Sequence, residues 1–223
     1  MNDKQIRQDV IEELEFEPSI DAEHIGVAVE GGVVTLTGHV SSYAQKIEAE
    51  AAAQRVQGVR AIALEIDVRY PFEKHVDDDQ IAKRAADALT AHLPVKEKVS
   101  VTVQKGWIFL TGAVHWQYQK AAAEYAVRRI EGVTGLTNRI SVTPSIMPKD
   151  VKKKILAALH RNAQVEGEGV SVTAKGGAIT LSGKVRTWQE RAVVERAAWS
   201  APGVTVVDNK LAVEGTHRAP EQF

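Results

Sequence analysis

"VVTLTGHV", Val33 to Val40, returns twice further along the chain, as "WIFLTGAV" at Trp107 to Val114 and as "AITLSGKV" at Ala178 to Val185. With the glycine of each phrase as a register mark, Gly38, Gly112 and Gly183 stand 74 and 71 residues apart. A second glycine follows each mark by 20 residues, at Gly58, Gly132 and Gly203, and valine follows every one of these. A third precedes each mark by six, at Gly32, Gly106 and Gly177. Equal offsets at three positions in three copies make the 223-residue chain a triplication rather than one or two conventional domains. The repeat sets the units at 1–72, 73–145 and 146–219, with a short tail at 220–223.

Within each unit the hydrophobic period changes in the same order. A helical spacing comes first: Ile6, Val10 and Leu14; Ile81, Ala85 and Leu89; Val151, Ile155 and Leu159. Asp77 to Asp79 and Asp150 supply the acidic residues that suit a helix start. The period then drops to two around "EGG", "QKG" or "KGG", which predicts a β-hairpin. An alanine-rich helix follows, with small residues Ala52, Ala126 and Ala197 expected against the sheet and the 20-residue glycine expected as its C-terminal cap. A third strand closes the unit. The fold expected is α+β: three tandem αββαβ modules, each a small three-stranded mixed sheet with two helices on one face. Gly38 and its equivalents are expected at the exit from the hairpin.

This pattern resembles the BON domain, a family named for bacterial osmotically inducible and nodulation proteins. The residues that carry the resemblance are Val27, Gly32, Leu36, Gly38, Val40, Gly58 and Val59 in the first unit, and their counterparts Val101, Gly106, Leu110, Gly112, Val114, Gly132, Val133 and Asn138 in the second. In the third they are Val172, Gly177, Leu181, Gly183, Val185, Gly203, Val204 and Asn209. The first unit departs from the pattern at Leu64, where the others have asparagine. The resemblance implies a non-enzymatic module, without cofactor, associated with envelope or osmotic stress and with phospholipid surfaces.

Chemistry is sparse in the residues themselves. There is no cysteine, hence no disulfide, thiolate metal site or cysteine nucleophile. "GAITLSGKV" imitates a phosphate loop but puts five residues between Gly177 and Gly183, with Val185 where Ser or Thr would hold magnesium. The seven histidines lack a pair at helical ligand spacing. Glu50, Glu124 and Glu195 recur once per unit, which reads as duplication on a solvated helix face rather than as a paired acid and base. No segment approaches the roughly 20 apolar residues of a transmembrane helix. The start "MNDKQIRQDVIEELEFEP" is acidic and amphipathic, unlike a secretory leader. The expected compartment is the cytoplasm, or the periplasm if a leader was removed.

Charge and aromatics remain. The net charge of −1 hides a polarity, from 6 Lys and Arg against 13 Asp and Glu in the first unit to 12 against 8 in the third with its tail. Such polarity favours an anionic surface as partner of the basic end, or pairing of acidic and basic ends between copies in a homo-oligomer. No nucleic-acid motif is present. "KDVKKKI" puts Lys149, Lys152, Lys153 and Lys154 on the first turns of a helix, a candidate contact for an anionic phospholipid surface; a solvated helix face is the plainer reading. Trp107 and Phe109 are expected on the uncovered face of the second sheet, with Trp116 and Tyr118 just beyond Gly112 as further candidate contact aromatics. Another module, another chain or a membrane interface would cover them. Trp188 and Trp199 read as packing residues. A chaperone-like binder of envelope proteins is compatible with exposed sheet faces but has no marker of its own.

Overall fold

The computed structural model describes residues 2–70, 76–92, 98–143, 150–161 and 169–213. The first unit runs α1 (Asp3–Phe16), a 3-10 turn (Ala22–His24), β1 (Ile25–Glu30), β2 (Val33–Val40), α2 (Tyr43–Arg55) and β3 (Ala61–Val68). The second repeats it with α3 (Asp78–His92), β4 (Lys98–Gln104), β5 (Trp107–Val114), α4 (Gln117–Val127) and β6 (Gly135–Val142). The third has α5 (Val151–His160), β7 (Val170–Lys175), β8 (Ala178–Val185), α6 (Trp188–Trp199) and β9 (Val206–Val213). Each sheet is mixed: the middle strand pairs antiparallel with the strand before it and parallel with the one after. The intervening helix supplies the crossover that a parallel pair requires. The expected α+β triplication is what the chain forms.

The alternation of β2 decides which face is core. Val34, Leu36 and Val40 are buried and pack with Ile6, Val10 and Leu14 of α1. Burial of a side chain such as Leu36 contributes about 1.5–3 kcal/mol. On the second helices the fully buried stripe is Ala49 and Ala53, Ala123 and Val127, Val194 and Ala198. It lies one position from the small residues singled out in sequence, for although Ala52 is buried, Ala126 and Ala197 are only half-buried. Alanine at Ala49 and Ala53 lets α2 approach the sheet closely.

Two glycine expectations need correction. Gly38 does not leave the hairpin; it lies inside β2, opposite Ile25, with φ 105°. A methyl group there would overlap the His24 carbonyl oxygen, and at Gly183 the Gly169 carbonyl oxygen. The second glycine does not cap the helix either. Gly58, Gly132 and Gly203 have φ 92°, 92° and 85° at the third position of a separate turn, closed by Val59 N to Val56 O, Val133 N to Ile130 O and Val204 N to Ala201 O. A type II turn asks for positive φ at that place and favours proline before it, as in Ala201-Pro202-Gly203-Val204.

Carboxylates tie the hairpins to the first helices. Asp3 accepts from Gly31 N at 2.8 Å and Gly32 N at 3.0 Å, and Asp78 accepts from Lys105 N at 2.7 Å and Gly106 N at 2.8 Å. These bonds hold Lys105 at φ 52°, a conformation side chains resist. The third unit has Pro148 at the corresponding sequence position, and there Gly177 lacks a left-handed φ.

Candidate functional site

The three sheets each leave one face free of helices, and the second unit fills its face with aromatics. Trp107 remains 43% exposed; its indole lies over Gly135, where no Cβ fits, and its Nε1 donates to Thr137 Oγ1 at 2.9 Å. Phe109 follows on the same face, half-buried, beside Thr137 of β6. Trp116 and Tyr118 belong elsewhere, at the opposite end of β5 and on the helix side of the sheet. Trp116 is the N-cap residue of α4 and Tyr118 lies in its first turn, 41% and 66% exposed. The four candidate aromatics are therefore two separate pairs.

Lys152, Lys153 and Lys154 are exposed on α5, held outward because Val151 and Ile155 are buried beneath the helix. Lys149 lies outside the described residues. The lysine group is in the third unit and both aromatic pairs are in the second.

Two of the repeated glutamates, the exposed Glu124 and the half-buried Glu195, also hold a partner on the last strand. Glu124 Oε2 accepts from Asn138 Nδ2 at 3.1 Å and Glu195 Oε2 from Asn209 Nδ2 at 2.7 Å, while each asparagine Oδ1 accepts from the N–H two residues on. These pairs fasten the second helix to the last strand. In the first unit Leu64 has no such amide, and Glu50 accepts from Gln54 instead. Sequence reasoning also missed the parallel stack of His24 and His39, whose ring centroids lie 4.6 Å apart. Among the described residues no group of three or more His, Cys, Asp or Glu could hold a metal ion. No helix described is long and apolar enough to cross a membrane.

The units also dock on one another. Trp188 Nε1, at the start of α6, donates to Val59 O at 2.8 Å, and the Arg191 guanidinium lies over its ring. Tyr70, just past β3, donates its hydroxyl to Val133 O at 2.9 Å, Tyr43 packs on the second unit's core, and Arg128 pairs with Glu48 at 3.3 Å. Burial raises the hydroxyl pKa of both Tyr43 and Tyr70, with nearby carboxylates adding to the effect. The acidic first unit thus meets the basic third unit within one chain.

Compared with known families, the chain matches the BON domain three times, over residues 2–70, 77–144 and 149–215. The chain belongs to the BON domain family. These BON units are 30% identical over 143 residues to Osmotically-inducible protein Y of Escherichia coli (strain K12), a match covering 62% of this chain and 71% of that protein. Among solved structures, CdsD, a structural protein of the Type III secretion system of Chlamydia trachomatis, aligns over 96% of this chain and 94% of its own at 15% identity, with a TM-score of 0.28. A superposition that loose adds nothing to the arrangement of the BON units.

Proposed function

We propose that this BON protein is a non-enzymatic, stress-associated binding protein that engages anionic phospholipid surfaces peripherally. The observation that carries the reading is the exposed run Lys152, Lys153 and Lys154, aimed outward from a helix whose other side is anchored in the core. Lysines so placed attract anionic head groups at about 1 kcal/mol each. Trp107 and Phe109 offer an aromatic face of the kind favoured at a membrane boundary. Similarity to an osmotically inducible protein supports the link to osmotic stress. Replacing Lys152, Lys153 and Lys154 with glutamate should reduce co-sedimentation with anionic vesicles, and an unchanged bound fraction would reject α5 as the docking site.

A further inference from the structure

The two contacts between units use the same pair of surfaces. In each unit one end, the head, carries the start of the second helix and the ends of the middle and last strands. The other end, the tail, carries the hairpin turn, the Gly-Val turn and the start of the last strand. The head of the third unit, through Trp188, sits on the tail of the first at Val59, in a cleft shared with Val33, Arg60 and Ala61. The head of the first, through Tyr43 and Tyr70, sits on the tail of the second at Val133. Val59 and Val133 occupy the same place in the repeat and both accept through the main-chain oxygen. The spatial order is therefore third, first, second, joined head to tail.

Among the described residues, a head-to-tail row leaves two ends open: the head of the second unit and the tail of the third. The open head is built as a contact surface. Gln117 is the counterpart of Tyr43 and Trp188, and Trp116 and Tyr118 flank it, both exposed. Trp116 moreover occupies an N-cap position at which Ser42 and Thr187 cap the corresponding helices with their hydroxyls. Helix α4 gives up that cap and has no side-chain hydrogen bond from its N-cap residue. A position that breaks a local rule in one copy of three, and does so with an exposed tryptophan, points to binding rather than folding. The Gln117 Oε1 beside it is buried without a hydrogen-bond partner. At the tail of the third unit, Val204 belongs to that unit's own core cluster, and Val206, the counterpart of Ala61 in the Trp188 cleft, is 54% exposed.

We infer that the head of the second unit docks on the tail of the third unit of another copy of this chain, continuing the intramolecular row. Such a contact is heterologous and generates a ring if its rotation closes and a filament if not. It is argued from neither Lys152 to Lys154 nor Trp107, and its test, made without lipid, is read separately from vesicle binding.

Sedimentation velocity of the full chain without lipid, over a range of concentrations, tests it. The unsubstituted protein should associate, with Trp116→Ser plus Tyr118→Ala weakening association by about tenfold or more. The serine restores the cap used by the sister helices, so loss of folding does not explain that result. Val206→Lys, at an exposed position, should do the same. Mixing the two variants should give a one-to-one dimer and nothing larger, because each retains the end the other lacks. A monomer at every concentration, or association unchanged by both variants, would overturn the inference.

Discussion

The indole of Trp188 donates to the main-chain oxygen of Val59 at 2.8 Å, joining the third BON unit to the first across 129 residues of sequence. Trp188→Phe keeps an aromatic ring but removes the donor together with part of the indole, leaving a carbonyl without its partner. The loss should be about 1–2 kcal/mol, read as a lower denaturant midpoint for the transition that involves the third unit. A midpoint equal to that of the unsubstituted chain would show that the carbonyl finds water at no cost.

Gly38 and Gly31 both have positive φ, yet they should respond differently to alanine. Gly31 faces open space at φ 57°, whereas a side chain at Gly38 meets the His24 carbonyl. Gly31→Ala should cost about 1 kcal/mol and Gly38→Ala at least about 2–3 kcal/mol in urea denaturation. Equal costs would mean that the neighbouring strand gives way freely.

Asp78 accepts two main-chain N–H groups and holds Lys105 in a left-handed conformation. Asp78→Ala should destabilise the second unit by about 2–3 kcal/mol, and adding Lys105→Gly should recover roughly 1 kcal/mol by removing the strain. A double variant no more stable than the single one would contradict the part assigned to strain.

Tyr70 holds the first and second units together through a neutral hydroxyl whose pKa burial raises. Because the folded value lies above the unfolded value of about 10, the stabilisation is complete below that pH and is lost as pH rises through the folded value. Tyr70→Phe should flatten the alkaline fall in stability and diminish the late-ionising tyrosinate absorbance. An unaltered alkaline profile would place the effect on another group.

What could be read in the sequence was whatever depends on local period. The helical stripes Ile6, Val10, Leu14 and Ile81, Ala85, Leu89, the hairpins and the mixed sheet follow from spacing within single units. Gly38 was legible as special but not as a strand residue, because its constraint comes from His24 on another segment. Asn138 with Glu124 and Asn209 with Glu195 share a 14-residue separation, and that shared offset was the available signal of a pair. The Asp3 and Asp78 clamps had a similar mark, each lying three residues before the first buried position of its helix. Docking of Trp188 on Val59 carried no such mark, since it depends on how whole units meet.

Peripheral attraction to anionic phospholipid is the central claim, and co-sedimentation of the unsubstituted chain with anionic and with zwitterionic vesicles, each at low and high salt, tests it most directly. The account predicts binding to the anionic vesicles that weakens as salt screens the lysines of α5, and little binding to the zwitterionic ones. Absence of binding to anionic vesicles at either salt concentration would contradict it.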